Sequence, residues 1–245
     1  VPENCGVVNA TDRCVPGTLT PPTNLPIVQE RPIALWTADK CSTFDNMRDF
    51  QGRARRQLLA GSPTALAREF WKGTLATAQT YPNRFLADTN TIDTTTAGPI
   101  SPNDALACLE QGIAEAANGQ RGMIHATVGT VTAWQAGGAL RREGGLLLTV
   151  VDTIVVADAG YDGTGPGGVP AAAGSVWAYG TTMVDVRLGA PVVPQPYESG
   201  IAGIDARTVD RSINNITVYA WRMAAATWDG CAHVAAEINL PLCGA

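Results

Sequence analysis

The sequence has 245 residues, 45% of them hydrophobic and 16% charged, with a formal net charge of −5. That length allows a sizeable core, in one large domain or two small ones; an acidic chain is no electrostatic footprint for tight nucleic-acid binding, and no apolar run approaches the length of a membrane span. Charges are sparse against a usual share of about a quarter, so the surface is either kept soluble by neutral polar groups or hidden against partners.

Residues 1–32, including "TLTPPTNLP", are rich in Pro, Asn and Thr and lack periodicity. They read as an extended N-terminal arm that orders only against something else. No basic stretch followed by an apolar core opens the sequence, so no secretion signal is expected. Cys5 and Cys14 flank a short polar loop in this arm and form a candidate staple in an oxidising medium. "IALWTADKCSTF" then reads as a short strand. Asp45 is expected to cap a helix through "NMRDFQGRARRQLLA" that stops at Gly61. Ser62 and Pro63 restart it, with proline where no amide donor is needed. Leu58, Leu59, Leu66, Phe70 and Trp71 supply its apolar side, and Arg48, Arg53, Arg55, Arg56 and Arg68 read as a solvated face balanced by Asp45, Asp49 and Glu69.

"GTLATAQTYPNRFLADTNTIDTTTAGPI" reads as a long polar connection. Ser101-Pro102-Asn103-Asp104 is a capping-box signature, and the helix it opens buries Leu106, Leu109, Ile113 and Ala117 at helical spacing. Asn118-Gly119 ends that helix. "MIHATV" reads as a strand, "TAWQAG" as a helical turn and "LLLTVVDTIVVADAG" as one or two buried strands. The loop "YDGTGPGGVPAAAGS" leads into strands "VWAYGTT" and "VDVRL"; "NNITVYAWRMAAATWDG" and "AHVAAEINL" follow. Helices first and strands mostly later make the fold class α+β.

Two patterns invite a chemical reading. Gly163, Gly165 and Gly168 satisfy G-x-G-x-x-G, with Asp185 at about the distance of a ribose-binding acid. A phosphate site needs the third glycine to open a helix. Here Gly168 runs through "VPAAAGSVWAYG" into a β-type run, so the loop is expected to join strand to strand. "DGCAHV" alternates Asp229, Cys231 and His233 as if on one face of a strand. That pattern fits either a small metal-dependent enzyme using Cys231 and His233 or a polar edge beside the last strand, and no second ligand pair lies nearby. No G-x-S-x-G elbow accompanies the two histidines, His125 and His233. The residues therefore assign no catalytic, cofactor-binding or metal position.

The stretches "SPNDALACLEQGIAEAANGQRGMIHATVGTVTAWQAG", "LLLTVVDTIVVADAGYDGTGPGG", "GSVWAYGTTMVDVRLG" and "NNITVYAWRMAAATWDGCAHVAAEINL" in this order resemble the major capsid proteins of tailed bacteriophages, with the Hong Kong 97-like fold. The "GYDGTGP" loop and "WAYGT" strand are similar to those of actinobacterial-phage virion proteins. The resemblance covers about residues 40–240. It implies an α+β capsid-fold domain over 33–245 behind the arm at 1–32, with a spine helix at about 45–72 and axial and peripheral parts at about 101–245. It further implies a structural protein, not an enzyme and without a cofactor, that self-assembles through pentamers and hexamers into the icosahedral head shell of the virion. Genomic DNA is enclosed but weakly contacted, other head proteins are further partners, no membrane is involved, and assembly takes place in the host cytoplasm. An encapsulin-like compartment shell, which shares the fold, is the alternative.

Two family features are not carried over. The long two-stranded E-loop has only residues 31–45 available to it, so it is expected to be short or replaced by the arm. The Lys–Asn cross-link is left aside because Lys40 and Lys72 are the only lysines. The resemblance makes Tyr161, Gly163, Gly165, Pro166 and Gly168, with Cys5 and Cys14, candidates for subunit contact. The glycines would allow close backbone approach between subunits, in a loop expected to lie outside the core.

Overall fold

The computed structural model describes residues 31–42, 49–79, 83–95, 97–117, 121–194, 209–210, 215–228 and 230–240. The arm with Cys5 and Cys14, the Asp45 cap, Asn118-Gly119 and Asp229 lie outside the described residues. The described residues divide into two compact units, one within 31–66 and 186–226, the other within 67–185 and 227–240.

The smaller unit is built on one long ladder. Strand β1 (Ile33–Ser42) pairs antiparallel with β10 (Asn215–Thr227) from Ile33 opposite Ala224 to Ser42 opposite Asn215. On the other side of β10 lies β8 (Asp185–Leu188), and β9 (Val209–Asp210) also pairs with it. Side chains alternate across a strand. Ile33 and Leu35 are buried with Val218, Ala220 and Ala224, while Trp36 is 68% exposed on the opposite face. Ala54, Leu58 and Leu66, from helix α1 (Phe50–Lys72), complete the inner cluster at helical spacing. Arg53 ties the helix to β1, its Nη2 donating to Asp39 Oδ1 at 2.8 Å.

Helix α1 runs unbroken through Gly61 and Pro63, so the expected stop at Gly61 is overturned. Proline there removes one amide donor and costs roughly 3 kcal/mol in a helix interior. Burial of Leu58 and Leu66 on either side offsets this, and the buried Ser62 hydroxyl donates to the Leu58 carbonyl within the turn. Of the two leucines assigned to the apolar side here, Leu58 is buried as expected, but Leu59 is 42% exposed because the helix phase turns it outward.

The larger unit carries a mixed sheet whose strands follow the order β2-β11-β7-β3-β6-β5-β4. Its elements are α2 (Thr74–Gln79), β2 (Ile92–Asp93), α3 (Pro102–Ala116), β3 (Gly122–Ala126), α4 (Val128–Ala136), β4 (Arg141–Glu143), β5 (Leu146–Leu148), β6 (Ile154–Ala157), β7 (Ser175–Thr182) and β11 (His233–Asn239). Ser101 caps α3 as expected: its Oγ accepts from Asp104 N at 3.3 Å and donates to the Asp104 carboxylate at 2.6 Å. Leu106, Leu109 and Ile113 then pack with Ile124, Val155, Ala178, Val234 and Ile238 of the sheet and Trp134 of α4.

"LLLTVVDTIVV" resolves into two strands, β5 and β6, separated at Asp152, a non-glycine residue in the left-handed region with φ 69°. Arg141 holds that turn, donating to the Thr149 carbonyl at 3.0 Å and pairing with Asp152. The Thr-rich stretch after Gly73 is more than a polar connection. Leu86 and Ala87 in it are fully buried, and Thr91 and Thr95 are buried because their hydroxyls are bonded, Thr91 donating to the Leu86 carbonyl and Thr95 accepting from Glu237 N. Among the described residues no helix is long and apolar enough to cross a membrane.

Candidate functional site

The loop between β6 and β7 holds five of the sequence-derived contact candidates. Its first turn is closed by Asp158, which accepts from Gly160 N at 2.7 Å through Oδ1 and from Tyr161 N at 3.2 Å through its carbonyl. Tyr161 then turns inward. Its ring lies 4.9 Å from that of Trp71, centroid to centroid, and its hydroxyl is 3.2 Å from His125 Nδ1. Asp162 forms a local turn of its own, accepting from Thr164 N and Oγ1, and pairs with Lys72. Burial works against the Asp162 charge, but the hydrogen bonds from Lys72 and Thr164 outweigh it and hold the carboxyl below its usual value.

Thr164 fastens the middle of the loop. Its carbonyl accepts from Tyr179 Oη at 2.9 Å and from Trp71 Nε1 at 3.2 Å, and its hydroxyl also accepts from Trp71 Nε1 at 3.1 Å. Gly163 has φ +79°, and a β-carbon there would meet Val176 at 3.2 Å. Gly165 has an extended backbone, but a β-carbon on it would fall 2.5 Å from the Trp177 indole nitrogen. A 3₁₀ turn over Pro166–Gly168 follows and leads through Val169, in extended backbone, and a turn at Ala173–Gly174 to β7.

The loop therefore divides in two. Tyr161, Gly163 and Gly165 are buried against their own unit, which corrects the expectation that the loop lies outside the core: the neighbours of Gly163 and Gly165 are Val176 and Trp177. Gly168 is exposed, with φ +74° and open space where a side chain would stand, and Pro166 is half-buried beside it. No local pattern marks Trp71, His125 and Thr164 as the residues that fasten the loop, because they lie far apart in the chain and meet only when helix, sheet and loop pack.

The glycine pattern does not open a helix, and the amides of Gly165 and Gly168 are already engaged, as is that of Gly167 between them. Gly165 N donates to the Val169 carbonyl at 2.7 Å, Gly167 N to Ala87 at 2.9 Å and Gly168 N to Gly165 at 3.0 Å. A phosphate would need those donors.

Both histidines serve internal networks. The Thr181 hydroxyl donates to the Thr182 carbonyl, so it accepts from His125 Nε2–H at 3.0 Å, which leaves Nδ1 to accept from the Tyr161 hydroxyl. Burial, helped by the nearby His233, pulls the His125 pKa down to about 3, so the ring is neutral. Burial likewise pushes the Tyr161 and Tyr179 hydroxyls up. His233 Nε2 lies 2.9 Å from the Leu86 carbonyl and 2.9 Å from Thr91 Oγ1, and burial lowers its pKa.

The metal reading of "DGCAHV" fails on geometry. Strand β11 begins only at His233, and Cys231 is disulfide-bonded, so its sulfur is no thiolate ligand. Among the described residues no group of three His, Cys, Asp or Glu side chains is placed to hold a metal ion.

No protein-family model matches the sequence, and no curated protein matches it. Solved structures do. The chain is similar to the capsid of an empty GTA particle, with TM-score 0.53 and 12% identity over 99% of this chain and 83% of that one. It is similar to the capsid of a native GTA particle, with TM-score 0.52 and 13% identity over 97% and 82%. A chain of Gordonia phage Cozz also matches, with TM-score 0.48 and 10% identity over 95% and 79%. At these identities the likeness is one of fold, and it spans the sequence from end to end: this chain has the α+β, Hong Kong 97-like capsid fold.

Proposed function

We propose that this chain is a structural capsid subunit that self-assembles, through pentamers and hexamers, into the icosahedral head shell of a tailed bacteriophage enclosing its DNA genome. The observation that carries this reading is the match of 99% of the chain to a GTA capsid subunit at a TM-score above one half. Composition supports it, since a chain with only 16% charged residues suits a protein whose edges are covered by copies of itself. The engaged glycine amides and the internally bonded histidines support a structural over a catalytic role.

In this reading α1 is the spine helix and residues 1–32 are the arm. Residues 33–245 form the capsid-fold domain, and the exposed side of the loop, Pro166 and Gly168, meets a neighbouring subunit, as Cys5 and Cys14 of the arm do. The particle is a virion component assembled in the host cytoplasm, with other head proteins as further partners. Electron microscopy and sedimentation of the purified chain test the proposal. Closed particles with five- and six-fold clusters are expected, whereas a stable species of 25.6 kDa at every concentration would overturn it.

A further inference from the structure

Helix α3 borders a cleft on the side of the turn between β5 and β6. Ala107, Glu110 and Ala114 recur along the helix every three or four residues, as one stripe. With Ala139 and the turn residues Thr149, Val150 and Val151 they line a space of about 540 Å³, a size that holds a small ligand or an inserted side chain. Val150 is 80% exposed and Val151 64%, and Val150 is the most exposed large apolar side chain among the described residues. The turn fixes both valines at the edge of the cleft: Thr149 N donates to the Thr153 carbonyl at 3.0 Å, and Asp152 N to the Thr149 carbonyl at 3.3 Å. An exposed apolar edge beside a cleft marks an interaction surface.

One polar group in this lining has unmet capacity. Glu110 Oε2 accepts from Thr153 Oγ1 at 2.6 Å, whereas Oε1 is buried and has no donor. A buried carboxylate oxygen without a donor is costly. A small rotation about the last side-chain bond, whose energy minimum is broad, presents it to a group in the cleft. Arg141 beside the turn does not fill this role, since it is committed to the Thr149 carbonyl, Asp152 and Glu143. The occupant therefore needs an apolar stem for the walls and one cationic donor for Oε1. A guanidinium binds a carboxylate best through two parallel bonds, and Thr153 already holds the other oxygen. A free polyamine carries several charges, which a single carboxylate between apolar walls does not match. A lysine side chain has both properties, a flexible stem that packs on apolar surface and one compact ammonium at its end. This sequence contains only Lys40 and Lys72, and Lys72 pairs with Asp162, which points to a different protein as the source.

We infer that the cleft between α3 and the β5–β6 turn docks a lysine of another protein, its ammonium donating to Glu110 Oε1 and its stem and an apolar neighbour packing on Ala107, Val150 and Val151. The site lies within one compact unit and is independent of the shell reading: a chain that stayed monomeric would sink that reading and still bind lysine peptides. Saturation-transfer NMR on the full-length chain, in the assembly state it adopts, tests the inference with capped Leu-Lys-Leu, Leu-Arg-Leu and Leu-norleucine-Leu peptides. The lysine peptide should bind about tenfold more tightly than the norleucine peptide and roughly threefold more tightly than the arginine peptide, with the strongest transfer at the lysine methylenes. Glu110→Gln should remove the preference for lysine. Ala107→Leu fills the cleft from an exposed position on α3, so it should weaken binding of all three peptides, with melting temperatures recorded as a control for folding. Equal affinity of the wild type for the three peptides, a lysine preference that survives Glu110→Gln, or wild-type affinities in Ala107→Leu would overturn the site. Tighter binding of putrescine than of the lysine peptide, or carbodiimide coupling of Glu110 to Lys40 of a second copy, would overturn the assignment to another protein.

Discussion

Gly165 lies directly against the indole of Trp177: a β-carbon built on Gly165 would sit 2.5 Å from Nε1. Gly168, three residues on, has open space around it but a φ of +74°. The two glycines are therefore required for different reasons, one by volume and one by backbone conformation. Gly165→Val must displace Trp177 and should destabilise the subunit by about 2–3 kcal/mol. Gly168→Ala should cost about 1 kcal/mol from its left-handed backbone alone. Thermal unfolding of the two variants checks this, and equal melting temperatures would contradict the packing at Gly165.

That contrast shows what the sequence could convey. Elements set by local chemistry were legible: the Ser101 cap, the apolar face of α3, and the β-type run "VWAYGTT" that became β7. Features decided by distant partners were not. Nothing near Gly165 announces Trp177 above it, and Thr91 and Thr95 look like solvent-facing residues until Leu86 and Glu237 supply their hydrogen bonds. Gly61 and Pro63 are breakers by propensity, yet burial of Leu58 and Leu66 overrides them.

Gly61 provides a test of that override by the sign of an effect. In the continuous helix a β-carbon at Gly61 meets nothing within 4 Å. Gly61→Ala should therefore stabilise the chain by about 1 kcal/mol, through the usual helix preference and the lower entropy of the unfolded state. Had the helix ended there with glycine in a left-handed cap, the same change would destabilise. Chemical denaturation of the two proteins distinguishes the outcomes.

His125 makes stability depend on pH. Its folded pKa, about 3, lies below the ordinary histidine value of 6.5 expected for the unfolded chain, so the unfolded state binds the proton more readily. Above pH 6.5 the ring is neutral in both states and costs nothing. As pH falls from 6.5 towards 3, stability should decline by up to about 1.4 kcal/mol per pH unit from this group. The lowered pKa of Asp162 acts in the same direction, because its charge interactions are lost on protonation. Denaturation midpoints between pH 7 and 4 measure the decline, and His125→Gln should flatten it while lowering stability at pH 7.

Trp71 offers the sharpest account of how helix α1 holds the loop. Its side chain is fully buried, its ring centroid lies 4.8 Å from that of Tyr179 in a T-shaped contact, and its N–H is shared between the two oxygens of Thr164. Trp71→Phe keeps an aromatic ring but removes the N–H and leaves a small void, a loss of about 1–3 kcal/mol. The Thr164 carbonyl would still have Tyr179 Oη as a donor, so the loop should stay closed in that variant. Tyr179→Phe alone likewise leaves the Trp71 donor. Only the double variant strips the carbonyl of both, so its cost should exceed the sum of the single costs. Hydrogen exchange at Trp177 N, which donates to the Gly163 carbonyl at 3.0 Å, reports opening of this part of the loop. Protection should fall modestly in either single variant and steeply in the double one. Strictly additive losses would show that Trp71 and Tyr179 hold the loop through ring packing alone.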